Sequence, residues 1–328
     1  MYKFKDIKDI HLELTSKCQA RCPMCPRRIN GGKINPLITL DEIDLATFKQ
    51  WFPIEFIQQL NSLFMCGNLG EPIVAQDCLE IFQYLRELNP SMHLSMHTNG
   101  SARTPKWWSK LAESNVRVVF GIDGLADTHS IYRIDTDYNK IIENAQAFIN
   151  AGGFAEWHML VFKHNEHQVE ECRTIATDLG FKKFQVKHTT RFQGNGEKWN
   201  VLNEQGKFEY AIYPTTKSQE FVVKVQNSIK ETFSINCKSK KNSSIYVSAT
   251  GRVSPCCWLS FEHRPWYTGS KIQYQLRVKD FPNLHEKSLS EIFDSGYFDR
   301  VEAQWPNKLD DCAKQCGSFD KTGAQFGN

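Results

Sequence analysis

Short apolar runs alternate with longer amphipathic stretches from residue 10 to about residue 191. The apolar runs predict six β-strands, at residues 10–14, 62–67, 93–98, 116–122, 157–162 and 184–189. The amphipathic stretches between them predict helices at residues 40–52, 77–89, 105–114, 138–152 and 168–180. Because strands that alternate with helices build parallel sheets, the pattern predicts an α/β protein with a partial (β/α)6 barrel.

This alternation ends near residue 192. Residues 192–234 are mostly polar and rich in turn residues, apart from an alternating run at 220–228 that predicts one strand. From residue 235 onward, short β-like pieces are interrupted by cysteine and proline. The predicted organisation is therefore a barrel core at 1–191, a linker or insertion at 192–234 and a small cysteine-rich α+β module at 235–328.

Composition narrows the class of protein. A hydrophobic fraction of 41%, a charged fraction of 23% and a net charge of +3 are those of a globular domain and exclude disorder, collagen and coiled coil. The near-neutral charge gives no basic surface for nucleic acid. The amino terminus has no secretory signal, and no run of about 18 apolar residues predicts a membrane span. We therefore expect a cytoplasmic protein with no nucleic-acid or membrane partner.

Eleven cysteines are many for a reducing compartment, where thiols are metal ligands or catalytic groups more often than disulfides. Cys66, Cys78 and Cys172 are isolated in apolar surroundings and are expected to be buried and inert. Cys18, Cys22 and Cys25, in contrast, crowd the segment that follows the first predicted strand. Prolines at positions 23 and 26 oppose a continuous helix there, so this segment is predicted to be a loop.

Three thiols in one loop suit an iron-sulfur cluster or zinc, because both bind soft sulfur ligands. A closed zinc site takes four ligands, and no fourth cysteine or histidine lies nearby in the sequence. A cubane held by three cysteines leaves one iron open for a ligand that is not protein. A structural zinc loop is the alternative.

The order of strand, Cys18-x3-Cys22-x2-Cys25 and helix resembles the signature of the radical S-adenosylmethionine (SAM) superfamily. The resemblance implies a [4Fe-4S] cluster on these three cysteines, with its open iron chelating SAM. It also implies reductive cleavage of SAM to a 5'-deoxyadenosyl radical that abstracts hydrogen from a substrate. The family commonly has an aromatic residue before the third cysteine, where this chain has Met24, whose sulfur is expected to lie against the adenine ring.

Residues after the other predicted strands are similar to further motifs of the same family. The segment 67–72 resembles its Gly-Glu-Pro element for the amino group of SAM, and the segment 98–100 resembles its Thr-Asn-Gly turn. The fourth and fifth strands are followed by three residues that match positions of the family. In the family these are an acidic residue for the ribose, an arginine for the carboxylate of SAM and an asparagine for the nucleoside. The resemblance thus implies a SAM site made of Met24, Gly70, Glu71, Thr98, Asn99, Asp123, Arg133 and Asn165.

These positions also have alternative interpretations. The segment 67–72 alone is also a simple turn, and Arg133 is also explained as an exposed helix residue. Four histidines in or beside predicted strands are expected to be structural or to line a pocket: His97, His158, His164 and His188.

The carboxyl-terminal cysteines form a second pattern. Cys237-x13-Gly251-x4-Cys256 resembles the opening of the SPASM and twitch modules, and the short remaining length favours the twitch form. The resemblance implies one auxiliary [4Fe-4S] cluster, held by Cys237, Cys256, Cys312 and Cys316, with Cys257 as the alternative to Cys256. A zinc ribbon is the competing interpretation, because four cysteines on β-turns are also a zinc signature.

Together the resemblances imply an oxidoreductase with two [4Fe-4S] clusters and SAM, which acts on a peptide or a small polar metabolite. They imply an external low-potential electron donor of the flavodoxin or ferredoxin type, and an auxiliary cluster that accepts an electron or binds substrate. The barrel begins within ten residues of the start, which disfavours a leader-peptide domain, and the missing terminal Gly-Gly disfavours the nucleotide cyclases. The alternatives are a non-catalytic iron-sulfur, zinc or electron-carrier protein, and a (β/α) metabolic enzyme without iron.

Overall fold

The protein is described from a computed structural model, which covers residues 3–189, 191–192, 197–217, 234–260, 281–305, 312 and 315–318. The strands in this part of the chain are β1 (Asp9–Leu12), β2 (Ser62–Met65), β3 (His93–Thr98), β4 (Val116–Gly121), β5 (Phe154–Leu160), β6 (Lys183–Lys187), β7 (Trp199–Leu202), β8 (Phe208–Ile212), β9 (Ser234–Ile235), β10 (Ser244–Val247), β11 (Val253–Ser254) and β12 (Gly317–Ser318).

The α-helices in the same part of the chain are α1 (Leu45–Trp51), α2 (Ile54–Gln59), α3 (Cys78–Leu88), α4 (Pro105–Ala112), α5 (His129–Tyr132), α6 (Tyr138–Asn150), α7 (Val169–Asp178), α8 (Lys238–Lys241), α9 (Leu289–Asp294) and α10 (Tyr297–Ala303). Short 3-10 helices lie at Phe4–Asp6, Pro72–Val74 and Glu166–Gln168. None of the helices described is long and apolar enough to cross a lipid bilayer.

Strands β1 to β6 lie side by side in chain order and are all parallel, each joined to the next through helices. This confirms the predicted partial (β/α)6 barrel. The six predicted strands and five predicted helices are all present, with ends that differ by a few residues. Local signals explain the helix starts: for example, Pro105 occupies the first turn of α4, and the hydroxyl of Thr104 accepts a hydrogen bond from the amide of Trp107.

Two further strands extend the barrel sheet from the carboxyl-terminal part of the chain. β10 pairs parallel with β1, so that Asp9 lies beside Ser244, and β11 pairs antiparallel with β10. The sheet order is therefore β11-β10-β1-β2-β3-β4-β5-β6. The sequence predicts a β-like piece near residues 244–249, but nothing local in the sequence identifies β1 as its partner.

The predicted linker contains a β-hairpin, which is a correction to its interpretation as only polar and turn-rich. β7 and β8 pair antiparallel, with Trp199 beside Ile212. The hairpin buries Trp199, Val201 and Ile212 in a small apolar cluster with residues of the barrel mouth. The strand predicted at 220–228 lies outside the described residues.

The two faces of the barrel strands differ in polarity. On β1, for example, Ile10 and Leu12 are buried in the main core against the helices, while His11 faces the barrel interior. The largest buried core side chains include Trp108 and Trp157, and full burial of a large apolar side chain contributes roughly 1.5–3 kcal/mol. The helices thus pack on the apolar outer face of the sheet, while polar side chains such as His11 face the interior.

Candidate functional site

The three cysteines that follow β1 lie in a compact loop at the carboxyl end of the strand. Cys18, Cys22 and Cys25 are each half-buried. The amide of Cys25 donates to the carbonyl of Cys22 (3.0 Å), and the amide of Ala20 donates to the sulfur of Cys18 (3.4 Å). The three thiols are close enough to influence one another electrostatically. The structure therefore brings the predicted trio together in one loop.

Cationic and amide groups surround these thiols. Burial raises the pKa of Cys22 to about 11, and Arg133, which donates a hydrogen bond to this sulfur, opposes that rise. The amide nitrogen of Asn99 lies 3.9 Å from the sulfur of Cys18, and Gln19 donates to the side-chain oxygen of Asn99 (2.8 Å). Such donors stabilise thiolates and the negative charge of a cluster.

Glu71 lies at the carboxyl end of β2, beside the end of β3. Its carboxylate accepts hydrogen bonds from the hydroxyl of Thr98 (2.7 Å) and the amide of Asn99 (2.7 Å). Burial raises the pKa of Glu71 to about 7, although these hydrogen bonds oppose the rise. Gly70 is required by close approach, because a Cβ atom there would lie 1.6 Å from the carbonyl oxygen of Thr15.

Glu13, which the sequence analysis did not single out, supports the same loop. It is only 2% exposed, and its carboxylate accepts hydrogen bonds from the amides of Leu69 (2.6 Å) and Gly70 (3.0 Å). Its other oxygen accepts a hydrogen bond from the hydroxyl of Tyr246 on β10. Burial raises the pKa of Glu13 above its ordinary value. Glu13 thus ties the loop after β2 to the carboxyl-terminal part of the chain.

Asp123 and Arg133 form an ion pair after β4, in which the carboxylate is fully buried and the guanidinium is partly buried. Asp123 is fully buried, and its carboxylate accepts hydrogen bonds from Nε of Arg133 (2.6 Å) and from the amide of Leu160 (2.6 Å). Asn165 is also fully buried, and its amide nitrogen donates to the carbonyls of Asp123 and Leu160 (both 3.1 Å). In this structure Asp123 therefore holds the guanidinium of Arg133, and Asn165 joins the ends of β4 and β5.

Met24, which precedes the third cysteine, is completely buried. Its side chain belongs to the apolar cluster that includes Tyr132, Phe162 and Trp199, and its carbonyl accepts a hydrogen bond from Arg191 (3.1 Å). The hairpin β7–β8 therefore packs against the cysteine loop.

The auxiliary cysteines meet at the short sheet of β9 and β12. Ile235 pairs with Gly317 in this sheet, which brings the adjacent Cys237 and Cys316 together. Their thiols are hydrogen-bonded to each other, so the pKa of Cys316 is lowered and that of Cys237 is raised. Cys312 is buried beside them, and one small cavity is lined by Cys237, Cys256, Cys312 and Cys316.

The neighbouring Cys256 and Cys257 face different surroundings. Cys256 lines the cavity of the other three cysteines and interacts electrostatically with Cys316. Cys257 is absent from that lining, and its sulfur instead interacts with Cys66 and accepts a hydrogen bond from Asn68, in the loop after β2. The geometry thus separates the two adjacent thiols, which the spacing alone left ambiguous.

The donor sets fit iron-sulfur clusters at both places. Within the described residues, no three histidine, cysteine or acidic side chains are arranged to hold a single metal ion. The first place offers three thiols from one loop next to cationic donors, and the second offers four thiols from three segments. Cysteine thiolates are the usual ligands of [4Fe-4S] clusters.

Fold and site together define a parallel (β/α) barrel with two groups of cysteines suited to iron-sulfur clusters, and comparison with known proteins gives the class. A profile of the radical SAM superfamily matches residues 12–175, half of the chain. A profile of the SPASM domain, described as an iron-sulfur cluster-binding domain, matches residues 237–317. The chain belongs to the radical SAM superfamily, whose cofactors are [4Fe-4S] clusters and SAM, and it carries a SPASM-type cluster domain.

Individual relatives are distant. A tungsten-containing aldehyde ferredoxin oxidoreductase cofactor-modifying protein of Pyrococcus furiosus is 22% identical over 312 residues, which cover 88% of this chain and 81% of the relative. The solved structure of anSMEcpe with bound AdoMet (SAM) has a TM-score of 0.58 at 15% identity, over 97% of this chain and 89% of that chain. At this identity the likeness shows the fold alone.

A second solved structure is similar to the same extent. Streptococcus suis SuiB bound to its precursor peptide SuiA has a TM-score of 0.58 at 14% identity. The match covers 90% of this chain and 67% of SuiB, so this chain spans about two thirds of the length of SuiB.

Proposed function

We propose that this protein is a radical SAM oxidoreductase that removes hydrogen from a peptide or a small polar metabolite. The observation that carries the proposal is the meeting of three half-buried thiols, the buried carboxylate of Glu71 and the guanidinium of Arg133 at one end of the parallel sheet. Three thiols leave one corner of a cubane open, and the other two groups suit the amino and carboxylate groups of an amino acid.

The role of each SAM-binding residue follows from its contacts. When bound, the cluster supplies the electron that cleaves SAM to methionine and a 5'-deoxyadenosyl radical. Glu71, oriented by Thr98 and Asn99, accepts hydrogen bonds from the amino group of SAM. Arg133, oriented by Asp123, binds the carboxylate of SAM. Gly70 lets the loop approach closely, while Met24 and Asn165 shape the wall around the nucleoside.

The auxiliary site is proposed to hold one cluster on Cys237, Cys256, Cys312 and Cys316. Ligation by four cysteines leaves no iron open, which favours electron transfer from the substrate over direct coordination of the substrate. An external low-potential donor of the flavodoxin or ferredoxin type, in the cytoplasm, would reduce the first cluster. Among similar proteins, SuiB binds a precursor peptide and the Pyrococcus protein is named for cofactor modification, so both substrate classes are kept.

Anaerobic reconstitution tests the proposal directly. Protein loaded with iron and sulfide is expected to convert SAM to 5'-deoxyadenosine and methionine when dithionite is added, as measured by liquid chromatography with mass detection. A non-catalytic electron carrier or a zinc protein would form neither product. Formation of neither product by protein that carries two intact clusters would therefore overturn the proposal.

Glu71→Gln is expected to weaken SAM binding at least about tenfold, because an amide accepts the hydrogen bonds of an amino group less strongly than a carboxylate does. The change preserves side-chain shape. Calorimetric titration of the reconstituted protein with SAM measures the effect. Glu80→Gln, on the exposed face of α3, is the matched control and should bind SAM as the wild type does. Equal affinities in both variants would contradict the role of Glu71.

Cys256→Ala is expected to lower bound iron from about eight to about four atoms per chain, whereas Cys257→Ala should retain about eight. The reason is that only Cys256 lines the cavity of the other three cysteines. Iron analysis and electron paramagnetic resonance of the reduced proteins measure the two cluster signals. Both variants keep the first cysteine loop, so both should still form 5'-deoxyadenosine. Loss of the auxiliary signal in Cys257→Ala alone would reverse the assignment.

A further inference from the structure

Five aromatic and imidazole rings line the barrel interior in one row, here called the ring belt: Tyr246, His11, Phe64, His97 and His158. Successive ring centroids are 5.0, 5.0, 4.9 and 5.6 Å apart. The rings come from β10, β1, β2, β3 and β5, whose alternate residues pack outward into the main core. The ring belt therefore forms a continuous inner wall.

The ring belt borders the proposed SAM site. His158 on β5 pairs in register with Gly121 on β4. A Cβ atom at Gly121 would lie 2.7 Å from a terminal nitrogen of Arg133, so the guanidinium passes directly over this residue. A molecule that contacts His97 and His158 would therefore lie next to SAM, where hydrogen abstraction requires the substrate to be.

Most polar groups of the ring belt are already engaged. Burial lowers the pKa of His11 to about 4 and that of His97 to about 3, so both rings are neutral near pH 7. Nε2 of His11 lies 2.8 Å from the carbonyl oxygen of Cys66, which fixes this nitrogen as a donor. Nε2 of His158 lies 3.1 Å from the carboxylate of Glu156 and donates to it in the same way.

The carboxylate beside the His158 end of the ring belt, that of Glu156, is also satisfied, as is that of Glu13 at the Tyr246 end. Glu156 is buried, and Arg117 donates to its carboxylate from Nη2 (2.7 Å) and from Nε (2.8 Å). Although burial opposes ionisation, the hydrogen bonds from Arg117 and His158 lower the pKa of Glu156. Its negative charge is therefore balanced within the wall and does not repel an anion in the interior.

Lys187 and His97 both offer donors to the interior in the described part of the chain. Lys187 on β6 is half-buried and has no carboxylate within 4.0 Å among the described residues. Lys187 pairs in register with Leu160, two residues after His158 on β5, so it belongs to the same face of the sheet as His158. Its positive charge also contributes to the lowered pKa values of His97 and His158. His97 has no hydrogen-bond partner among the described residues, although a neutral imidazole carries one N–H donor.

We propose that the substrate carries an anionic group, a carboxylate or a phosphate, which binds in the barrel interior to the ammonium of Lys187 and the N–H of His97. The inference rests on the proposed function, because it names the substrate class of the same enzyme. Glu156 acts on Lys187 only from beyond ion-pair distance. A partly desolvated ammonium with no carboxylate in contact is costly, and an anionic ligand removes that cost through charge-assisted hydrogen bonds. A neutral ligand would leave the ammonium unpaired.

Calorimetric titration of the reconstituted, SAM-saturated holoenzyme without reductant tests the proposal. The probes are succinate for a carboxylate, inorganic phosphate for a phosphate, and neutral succinamide as the uncharged control. At least one anion should bind and succinamide should not. Lys187→Met and His97→Phe should each weaken anion binding at least about tenfold. Lys182→Met, at an exposed position just before β6, is the matched control and should bind as the wild type does.

The titrations with succinate and with phosphate distinguish the two possible anionic groups, because preferential binding of one probe identifies a carboxylate or a phosphate. Absence of binding by both anions would overturn the proposal. Equal binding in Lys187→Met and Lys182→Met would overturn it as well. Lys187→Arg keeps the positive charge and should restore most of the affinity.

A measurement on the wild-type protein tests the same proposal without relying on the folding of any variant. Brief acetylation with acetic anhydride, followed by peptide mass spectrometry, reports the reactivity of each lysine. A saturating anion should slow acetylation of Lys187 about tenfold and leave Lys182 unaffected. Unchanged labelling of Lys187 would contradict the proposal. Neither experiment requires turnover, so the two proposals can fail separately. Protein that cleaves SAM but binds no anion would contradict only this inference. Protein that binds an anion but leaves SAM intact would contradict only the proposed function.

Discussion

Cys22→Ala is expected to reduce the formation of 5'-deoxyadenosine to below about one thousandth of the wild-type rate, because the electron comes from the cofactor and no protein group replaces it. Cys22 is the central member of the cysteine loop, and Arg133 donates a hydrogen bond to its sulfur. Loss of this thiol leaves only two protein ligands, Cys18 and Cys25, for the first cluster. The variant should therefore lose about four iron atoms per chain and the corresponding paramagnetic signal.

The control for this variant is a cysteine outside the loop. Cys172 on α7 is fully buried in the main core, so Cys172→Ala should cost about 1 kcal/mol of stability and keep both clusters and full activity. Chromatographic quantification of 5'-deoxyadenosine under dithionite measures both variants. Substantial product from Cys22→Ala would show that the first cluster does not depend on this thiol, and the assignment of the trio would be wrong.

Much of the barrel could be predicted because its signals are local. β4 is a run of β-branched and aromatic residues, and α4 and α6 begin at side-chain caps, Thr104 and Asp137, that the sequence shows directly. The pairing of β10 with β1 could not be predicted, because the two strands are separated by more than 200 residues and any apolar strand could cover that edge. The hairpin β7–β8 gives a weak sequence pattern, because β8 begins with two exposed residues, Phe208 and Glu209, and so lacks a regular alternation of buried and exposed positions.

The candidate site divides in the same way. The trio of cysteines is visible in the sequence because it lies within one loop, whereas the choice between Cys256 and Cys257 depends on which way two adjacent side chains point. The sequence did not identify Glu13 as a site residue, because an acidic residue within an apolar strand usually occupies a position that faces solvent. β1 in fact ends at Leu12, and Glu13 turns towards the amides of the loop after β2. An acidic residue next to the last position of such an apolar run was the available signal.

Asp123→Ala is expected to destabilise the protein by up to about 3–5 kcal/mol, because it removes a fully buried carboxylate and leaves the partly buried guanidinium of Arg133 without its counter-ion. Asp123 is fully buried, and its two carboxylate oxygens accept hydrogen bonds from Arg133 and from the amide of Leu160. Asp123→Asn keeps one acceptor and should cost less, about 1.5–3 kcal/mol. Urea unfolding of the anaerobic protein measures both free energies.

The matched control for the asparagine variant is Asp135→Asn. Asp135 also pairs with an arginine, Arg21 (2.6 Å), but its side chain is 48% exposed, so the loss should stay below about 1 kcal/mol. Asparagine also tolerates the left-handed backbone at this position (φ 63°), so no strain is added. Equal losses at positions 123 and 135 would contradict the view that burial makes the first pair important.

SAM binding by the Asp123 variants shows whether Asp123 positions Arg133 for SAM or only stabilises the fold. If Asp123 orients the guanidinium for SAM, then Asp123→Asn should weaken SAM binding about tenfold even at temperatures where the variant is fully folded. The double variant Asp123→Ala with Arg133→Met should unfold at a higher urea concentration than Asp123→Ala alone, because the unpaired, partly buried cation is gone. It should still not bind SAM, since the group that receives the carboxylate of SAM is missing. Recovery of SAM binding together with stability in the double variant would show that Arg133 holds the fold and not the cofactor.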